Sequence, residues 1–192
     1  MTAEYKTELK PVAPESANDE QKRVLAKAKE AVGFIPNMYA GMVNSPGVLE
    51  TYLDGYARFR NSGHFTPAEQ ETIFLTISRG NACGYCMTAH SMLAAKKSGV
   101  PEAVIEALRD DKEIPEPKLA ALVRFTRHMF DTRGLPTTAE VEAFKRAGYT
   151  DRHIYEIILA LAVKTLSNYA NHIQHTAVDD VFANFKWERE PA

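Results

Sequence analysis

Apolar residues recur at helical rather than strand spacing along almost the whole chain. Near its carboxyl end, Ile154, Ile157 and Leu161 form an apolar stripe among polar positions, with the three- and four-residue spacing of an amphipathic helix. No alternating apolar and polar run is long enough to indicate a β-strand. The pattern therefore predicts an all-α fold.

Capping residues and helix breakers place the boundaries of these helices. Thr66-Pro67-Ala68-Glu69 combines a threonine cap, a proline at the first helical position and a glutamate that can close a capping box. Ser45-Pro46 is a similar start, while Gly33 and Gly80-Asn81 are stop signals. We predict helices over residues 16–31, 38–43, 47–61, 67–79, 83–98, 101–109, 117–132, 138–147 and 151–178.

Composition narrows the class of protein without identifying its chemistry. The 192 residues are 45% hydrophobic and 25% charged, which is typical of a globular protein with a full core. We expect an N-terminal extension over residues 1–15 and a single helical domain over 16–192. A net charge of -2 without a basic stripe gives no sign of nucleic-acid binding. The chain has no apolar run for a membrane span and no signal-peptide pattern near Met1, so we expect a cytoplasmic location and no membrane partner.

Two cysteines, Cys83 and Cys86, are the only ones in the chain, and His90 follows the second by four residues. At about 100° per helical residue the three side chains fall within an arc of about 60° and share one helix face. In a reducing compartment such a pair is more often catalytic, redox-sensing or metal-binding than structural. Thiolates are stabilised at a helix N-terminus, and cysteines one turn apart can form a disulfide. Zinc is the metal alternative, although Glu71, His172 or His175 would have to supply the fourth ligand.

Glu71 lies twelve residues before Cys83, on the helix that Thr66 opens, and the Gly80-Asn81 break would fold it back toward the cysteines. The resulting pattern, E-x11-C-x2-C-x3-H, resembles the alkylhydroperoxidase D-like branch of the carboxymuconolactone decarboxylase family. Similar segments flank it at residues 33–38, 45–49 and 168–172, so the resemblance spans about residues 20–185.

This resemblance implies an alkylhydroperoxidase D-like helical fold and a thiol peroxidase that reduces hydroperoxides, without a metal or other cofactor. Glu71 and His90 would move protons. Helix position favours Cys83 as the more activated thiolate, whereas the resemblance favours Cys86 as the peroxidatic residue and Cys83 as the resolving one; we choose Cys86. The reductant would be a dithiol such as a thioredoxin-like or lipoyl-bearing protein, and the chain would form a homo-oligomer (dimer, trimer or hexamer).

A shift of 85 residues places Glu156 on Glu71, and Asn168, Asn171 and His175 on Cys83, Cys86 and His90. We interpret this as an internal duplication of a helical hairpin, with copies at about 66–98 and 151–178. Under this hypothesis the three second-copy residues are structural or line the same cavity. Tyr85 and His172 are further candidate pocket residues.

Two other functions use the same residues differently. The cysteine pair could serve as a non-peroxidatic redox sensor or as a disulfide reductase for another protein. Alternatively, Glu71 and His90 could act as acid and base in a lyase of the carboxymuconolactone decarboxylase type. The lyase is less favoured, because its chemistry has no need of paired thiols.

Overall fold

A computed structural model describes residues 3–188, and within that range the secondary structure is entirely helical. The α-helices are α1 (Asp19–Val32), α2 (Asn37–Met42), α3 (Pro46–Asn61), α4 (Pro67–Gly80), α5 (Gly84–Leu93), α6 (Glu102–Asp110), α7 (Pro117–Asp131), α8 (Thr138–Arg146) and α9 (Asp151–Gln174). A π-helical turn, Ala94–Ser98, continues α5, and a 3-10 turn, Asp180–Phe185, follows α9. The predicted all-α fold is confirmed.

Local capping chemistry explains where most helices begin and end. Thr66 and Glu69 form the predicted capping box at the start of α4. Gly33 ends α1 with a left-handed φ of 90°, a conformation that glycine adopts without steric strain. Helix α1 starts at Asp19 rather than at residue 16, because Asn18 forms a capping box with Gln21. Ser45 precedes α3 as predicted, but its side chain makes no capping hydrogen bond.

The sequence predicted Cys83 inside the first turn of α5. In the structure Cys83 is instead the N-cap residue of that helix. Ala82 adopts a left-handed φ of 53° and reverses the chain after α4. The carbonyl of Cys83 then accepts the first hydrogen bond of α5 from the Met87 N–H, at 2.9 Å. Cys86 therefore lies in the first turn of the helix, where backbone N–H groups favour a thiolate.

The predicted second hairpin is wrong. Residues Asp151–Gln174 form one continuous helix, which ends at His175 (φ 50°) rather than at Val178. The positions that correspond to the Gly80-Asn81 break are Thr165 and Leu166, and neither interrupts a helix as glycine does. The internal duplication of a hairpin is not confirmed.

Helix α4 is the centre of the molecule and contacts α5, α6, α7 and α9. Its residues from Glu69 to Ser78 are all buried, so this helix has no solvent-facing side over that length. Phe74 and Leu75 are fully buried there and contribute to the hydrophobic stabilisation of the fold. Because Glu71 lies within this buried stretch of α4, its carboxylate is inside the core.

The segment before α1 lies against the far end of α9, where the Thr7 N–H donates to the Ile173 carbonyl at 2.8 Å. The division into an extension (1–15) and a domain (16–192) stays a prediction, and its outermost residues, 1–2 and 189–192, lie outside the described range. Among the helices of residues 3–188, none has the length and apolar character that crossing a bilayer requires.

Candidate active site

Glu71 and His90 are brought together where α4 and α5 pack, as the sequence pattern suggested. The Oε2 atom of Glu71 lies 2.8 Å from Nδ1 of His90. Glu71 is 1% exposed and His90 is 5% exposed. A carboxylate and an imidazole held this way form a buried proton-transfer pair.

Arg60, near the end of α3, is a site residue that sequence reasoning missed. Its guanidinium donates to Oε1 of Glu71 and, at 2.8 Å, to the Tyr56 hydroxyl. It also lies 4.8 Å above the ring of Phe74, a cation–π arrangement. Nothing local in the α3 sequence distinguishes Arg60 from the neighbouring Arg58, because the partner comes from another helix.

The protonation states of this pair follow from its surroundings. Burial acts to raise the pKa of Glu71, but the interactions with His90 and Arg60 outweigh it and hold that pKa below its ordinary value. For His90, burial and the nearby Lys164 charge lower the pKa in spite of Glu71. At neutral pH the site therefore contains a carboxylate beside a neutral imidazole, whose Nδ1–H donates to Glu71.

Both cysteines are reduced and buried, but their ionisation differs. Burial raises the pKa of Cys86, yet the hydrogen bond from Cys83 and the positive charge of Lys164 outweigh burial and bring it well below its ordinary value. The pKa of Cys83 is raised well above the ordinary value, because its thiol donates to Cys86 and is itself buried. The two thiols thus differ in acidity, and Cys86 is the more readily ionised of the two.

Asn171, from α9, touches both sulfurs. Its Nδ2 atom lies 3.3 Å from the Cys86 sulfur and 3.8 Å from the Cys83 sulfur. The sequence comparison of the two halves had named Asn171 as the counterpart of Cys86, and the structure places it in contact with that residue. An amide donor here favours the ionised form of a thiol.

Lys164, also on α9, is a second residue that was missed as part of the site. Its side chain has no exposed surface, and its Nζ atom lies 5.4 Å from the centre of the Phe74 ring. The available signal was a lone lysine directly after the apolar run 157–163. A lysine in a core position needs a specific partner.

A pocket of about 320 Å³ opens in front of Cys83. The other predicted site residues in its wall are Tyr85, Asn171, His172 and His175. The Tyr85 hydroxyl is occupied, since it donates to Asp179 at 2.5 Å. Cys86 is buried and does not line this pocket.

Asn168 is the one predicted pocket residue that lies away from this cavity. It is fully buried, and its side-chain oxygen accepts a hydrogen bond from Asn81 at 2.9 Å. Asn168 therefore links α9 to the turn between α4 and α5, which is the structural alternative considered for it.

The zinc alternative finds no support in the arrangement of donors. Within residues 3–188, no group of three or more histidine, cysteine, aspartate or glutamate side chains is placed to hold a metal ion. His175, one of the possible fourth ligands, instead directs its Nε2 atom to the Ala3 carbonyl at 2.8 Å.

Comparison with known proteins gives one family match. A model of the carboxymuconolactone decarboxylase family matches residues 46–127, which include Arg60, Glu71, both cysteines and His90. No curated protein matches the chain.

Solved structures share the fold at low sequence identity. An uncharacterized peroxidase-related protein from Ralstonia eutropha JMP134, described as an alkylhydroperoxidase AhpD core, is 22% identical with a TM-score of 0.77, covering 94% of this chain and 96% of that one. A peroxidase-related protein from Silicibacter sp. TM1040 is 20% identical with a TM-score of 0.72, covering 94% and 95%. The debrominase Bmp8 is 16% identical with a TM-score of 0.73, covering 94% and 96%, and a cysteine-to-alanine variant of it was crystallised with 2,3,4-tribromopyrrole.

Proposed function

Since the chain carries a carboxymuconolactone decarboxylase family segment over residues 46–127 and has the fold of the alkylhydroperoxidase D core, we propose that it is a thiol-dependent hydroperoxide reductase. The observation that carries this proposal is the buried Cys83–Cys86 pair, contacted by Asn171 and one helical turn from the buried Glu71–His90 pair. Thiolates are the nucleophilic form of cysteine. Two thiols of unequal pKa suit a cycle in which one attacks and the other resolves.

In the first step the Cys86 thiolate attacks the terminal oxygen of a hydroperoxide. The sulfur–oxygen bond forms while the oxygen–oxygen bond breaks, so Cys86 becomes a sulfenic acid and the peroxide is reduced. The departing alkoxide takes a proton that comes from solvent water and leaves as an alcohol. His90, one helical turn beyond Cys86, is placed to relay that proton with Glu71 behind it.

In the second step Cys83 resolves the sulfenic acid. Its sulfur attacks the Cys86 sulfur, the disulfide forms, and the departing hydroxide combines with the proton from Cys83 to leave as water. An external dithiol then returns two electrons and two protons, and becomes a disulfide itself. Cys83 faces the pocket, so we assign to it the exchange with the reductant.

A redox sensor or protein disulfide reductase would use the same pair without consuming peroxide. Cys83 is only 1% exposed at the base of its pocket. A protein substrate of a disulfide reductase would need the surrounding segment to open before it reached that sulfur, and a protein dithiol that regenerates a peroxidase would need the same opening. The two functions are separated by whether the cysteine pair consumes hydroperoxide.

Reductive debromination is another reaction that a dithiol can drive, and the likeness to Bmp8 makes it worth assaying beside peroxide. An aryl bromide and two thiols would give the arene, a disulfide and hydrogen bromide. The pocket in front of Cys83 has room for a small ring. The pair would remain the electron donor in both reactions.

The test is hydroperoxide consumption by the purified protein with dithiothreitol as reductant, run beside Cys83→Ser and Cys86→Ser. We expect turnover in the wild type and its loss in both variants, with two thiols consumed per oxidised chain. Turnover that survives in Cys86→Ser would contradict the proposal. A disulfide that forms without peroxide consumption would identify a sensor or reductase, and loss of a tribromopyrrole alone would identify a dehalogenase.

We also propose a cytoplasmic homo-oligomer. A reducing compartment would keep the pair in the dithiol state found here. Helix α9 exposes large apolar side chains on one face, within an arc of about 60°, at Tyr155, Ile158, Tyr169 and Ile173. Such a face is typical of a subunit contact.

A further inference from the structure

Lys164 presents an electrostatic problem that the proposed cycle leaves open. Its side chain is completely buried, and its Nζ atom has no nitrogen or oxygen partner among the described residues, so the Cys86 sulfur is the polar group with which it interacts. It also forms no ion pair with a carboxylate there. An ammonium taken out of water is strongly destabilising unless a negative charge compensates it.

The buried carboxylate of the site, Glu71, is already engaged. Both oxygens of Glu71 have partners, one in Arg60 and the other in His90. The Phe74 ring, 5.4 Å from Nζ, offers only the weak attraction of an aromatic face. Of the groups at the site, the one left to balance the Lys164 charge is Cys86, whose pKa that charge and the Lys164 hydrogen bond lower.

The geometry of α9 supports this pairing. Lys164 and Asn171 are seven residues apart, so they project within about 20° of each other on one face of the helix. Asn171 already contacts the Cys86 sulfur at 3.3 Å. Lys164 lies next to the Phe74 ring, and that ring packs at a tilt against His90, with ring centres 5.0 Å apart. The face of α9 that carries both residues therefore covers the Cys86–His90 side of α5.

We propose that Lys164 is the counter-charge of the Cys86 thiolate, and that this pairing sets the reduction potential of the Cys83–Cys86 couple. The proposal rests on the proposed function only in taking Cys86 as the thiolate of the pair. It makes Lys164 a residue that acts through Cys86 and not one that contacts substrate.

Other groups around Cys86 cannot replace this charge. The titratable groups that interact electrostatically with it are Tyr39 from α2, Tyr52 and Tyr56 from α3, Cys83, Tyr85 and His90 from α5, and Lys164 and His172 from α9. Arg60 and Glu71 lie one contact further away, bonded to Tyr56 and His90. Arg60 is neutralised by Glu71. The pKa values of His90 and His172 are lowered by burial, so both are neutral at pH 7.

The redox consequence follows from the loss of charge on oxidation. When the disulfide forms, the two sulfurs give up two electrons to the oxidant, Cys83 loses its proton, and Cys86 loses its negative charge. Lys164 then stays buried without a counter-charge. The oxidised state is therefore disfavoured relative to the dithiol, and the couple becomes a readily reduced one.

The experiment compares Lys164→Met and Lys164→Arg with wild type, using Lys118→Met as the matched control. Lys118 also lies over an aromatic ring, at 5.1 Å from the centre of Tyr149, but its side chain is 51% exposed and pairs with Glu69. The control thus changes net charge equally, away from the thiols. Two quantities are measured: the pH midpoint of thiolate absorbance in the ultraviolet, with Cys86→Ser as blank, and the equilibrium with a dithiothreitol redox buffer.

In Lys164→Met we expect the thiolate midpoint to rise by one pH unit or more, and the equilibrium constant for reduction at pH 7 to fall about tenfold for each unit. Lys164→Arg should retain most of both properties, and Lys118→Met should match wild type. The proposal would be overturned if, in Lys164→Met, the acid dissociation constant of the thiol and the equilibrium constant for reduction both stayed within about twofold of wild type.

The wild-type titration is decisive even if Lys164→Met does not fold, because a midpoint at or above the ordinary cysteine value would overturn the proposal by itself. Lys164→Gln then serves as the second neutral variant. Neither readout requires peroxide turnover, so a shift in these values without any peroxidase activity would contradict only the proposed function.

Discussion

Each charged side chain at the site has its state fixed by one or two neighbours. Contacts with His90 and Arg60 lower the pKa of Glu71, and the Cys83 hydrogen bond and the Lys164 charge lower the pKa of Cys86 in spite of burial. The residues with a local sequence pattern, Glu71 and the C-x-x-C pair with its histidine, could be predicted from their spacing. Arg60 and Lys164 could not, since their roles depend on contacts between helices distant in sequence.

Glu71→Gln should destabilise the fold as well as the activity. The change leaves the Arg60 guanidinium without its buried counter-charge, and we expect the free energy of unfolding to fall by about 3 kcal/mol. Urea denaturation followed by circular dichroism measures this. Glu50→Gln is the control, because Glu50 pairs with Arg23 at the surface and its loss should be undetectable; equal effects of the two substitutions would refute the buried-pair account.

The same substitution predicts a pH dependence. The pKa of Glu71 in the folded protein lies below its ordinary value of 4.5, so its stabilising contribution is complete above that pH and is lost as the pH falls through the folded-state pKa. The stability gap between wild type and Glu71→Gln should therefore be constant near neutrality and shrink below about pH 4.5. Denaturation curves at several pH values test this, and a gap that does not change with pH would contradict it.

Helix boundaries were predictable wherever capping residues determine them. Thr66 and Gly33 acted as their sequence patterns indicated. The hairpin predicted for residues 151–178 is absent, because Thr165 and Leu166 stand where the first copy has its helix-breaking Gly80 and Asn81. A few matching residues do not predict a turn without such breakers. The turn at Ala82 could not be predicted either, because alanine seldom adopts a positive φ. Packing between helices, and not the residue type, accounts for this conformation.

Packing between α3 and α9 sets the position of Lys164 and can be probed with two glycines of α3. A Cβ on Gly55 would lie 2.9 Å from the Val163 side chain, whereas one on Gly47 would meet nothing within 4 Å. We expect Gly55→Ala to lower the free energy of unfolding by about 1 kcal/mol, as overpacking outweighs helix propensity. Gly47→Ala should be neutral or stabilising. If thermal denaturation showed Gly55→Ala to be the more stable of the two variants, the α3–α9 interface would have to accommodate the added methyl group without strain.

At the scale of the whole molecule, the segment after α9 returns to close the site. The Trp187 N–H donates to the Thr88 hydroxyl at 3.0 Å, and its indole N–H donates to the Arg109 carbonyl at 3.0 Å. Asp179 holds the Tyr85 hydroxyl in the pocket wall. The sequence did not reveal this closure, because it depends on single hydrogen bonds from an irregular segment.

The exposed face of α9 predicts the assembly state. We expect wild-type protein to sediment as a dimer or larger species, and Ile158→Glu to sediment as a monomer, because a charge would be buried in the contact. Leu135 is 75% exposed and lies outside that face, so Leu135→Glu is the control and should assemble normally. Unchanged assembly of Ile158→Glu would place the subunit contact elsewhere.

The most direct test of the account is to identify which sulfur meets the peroxide. Cys83→Ser keeps a hydroxyl donor beside Cys86 but removes the resolving thiol, so a single equivalent of hydroperoxide should leave a sulfenic acid on Cys86. Dimedone trapping and peptide mass spectrometry would locate it. An adduct on Cys86 in this variant, and none in Cys86→Ser, is the predicted result; an adduct on Cys83 in Cys86→Ser, or no adduct in either variant, would contradict the account.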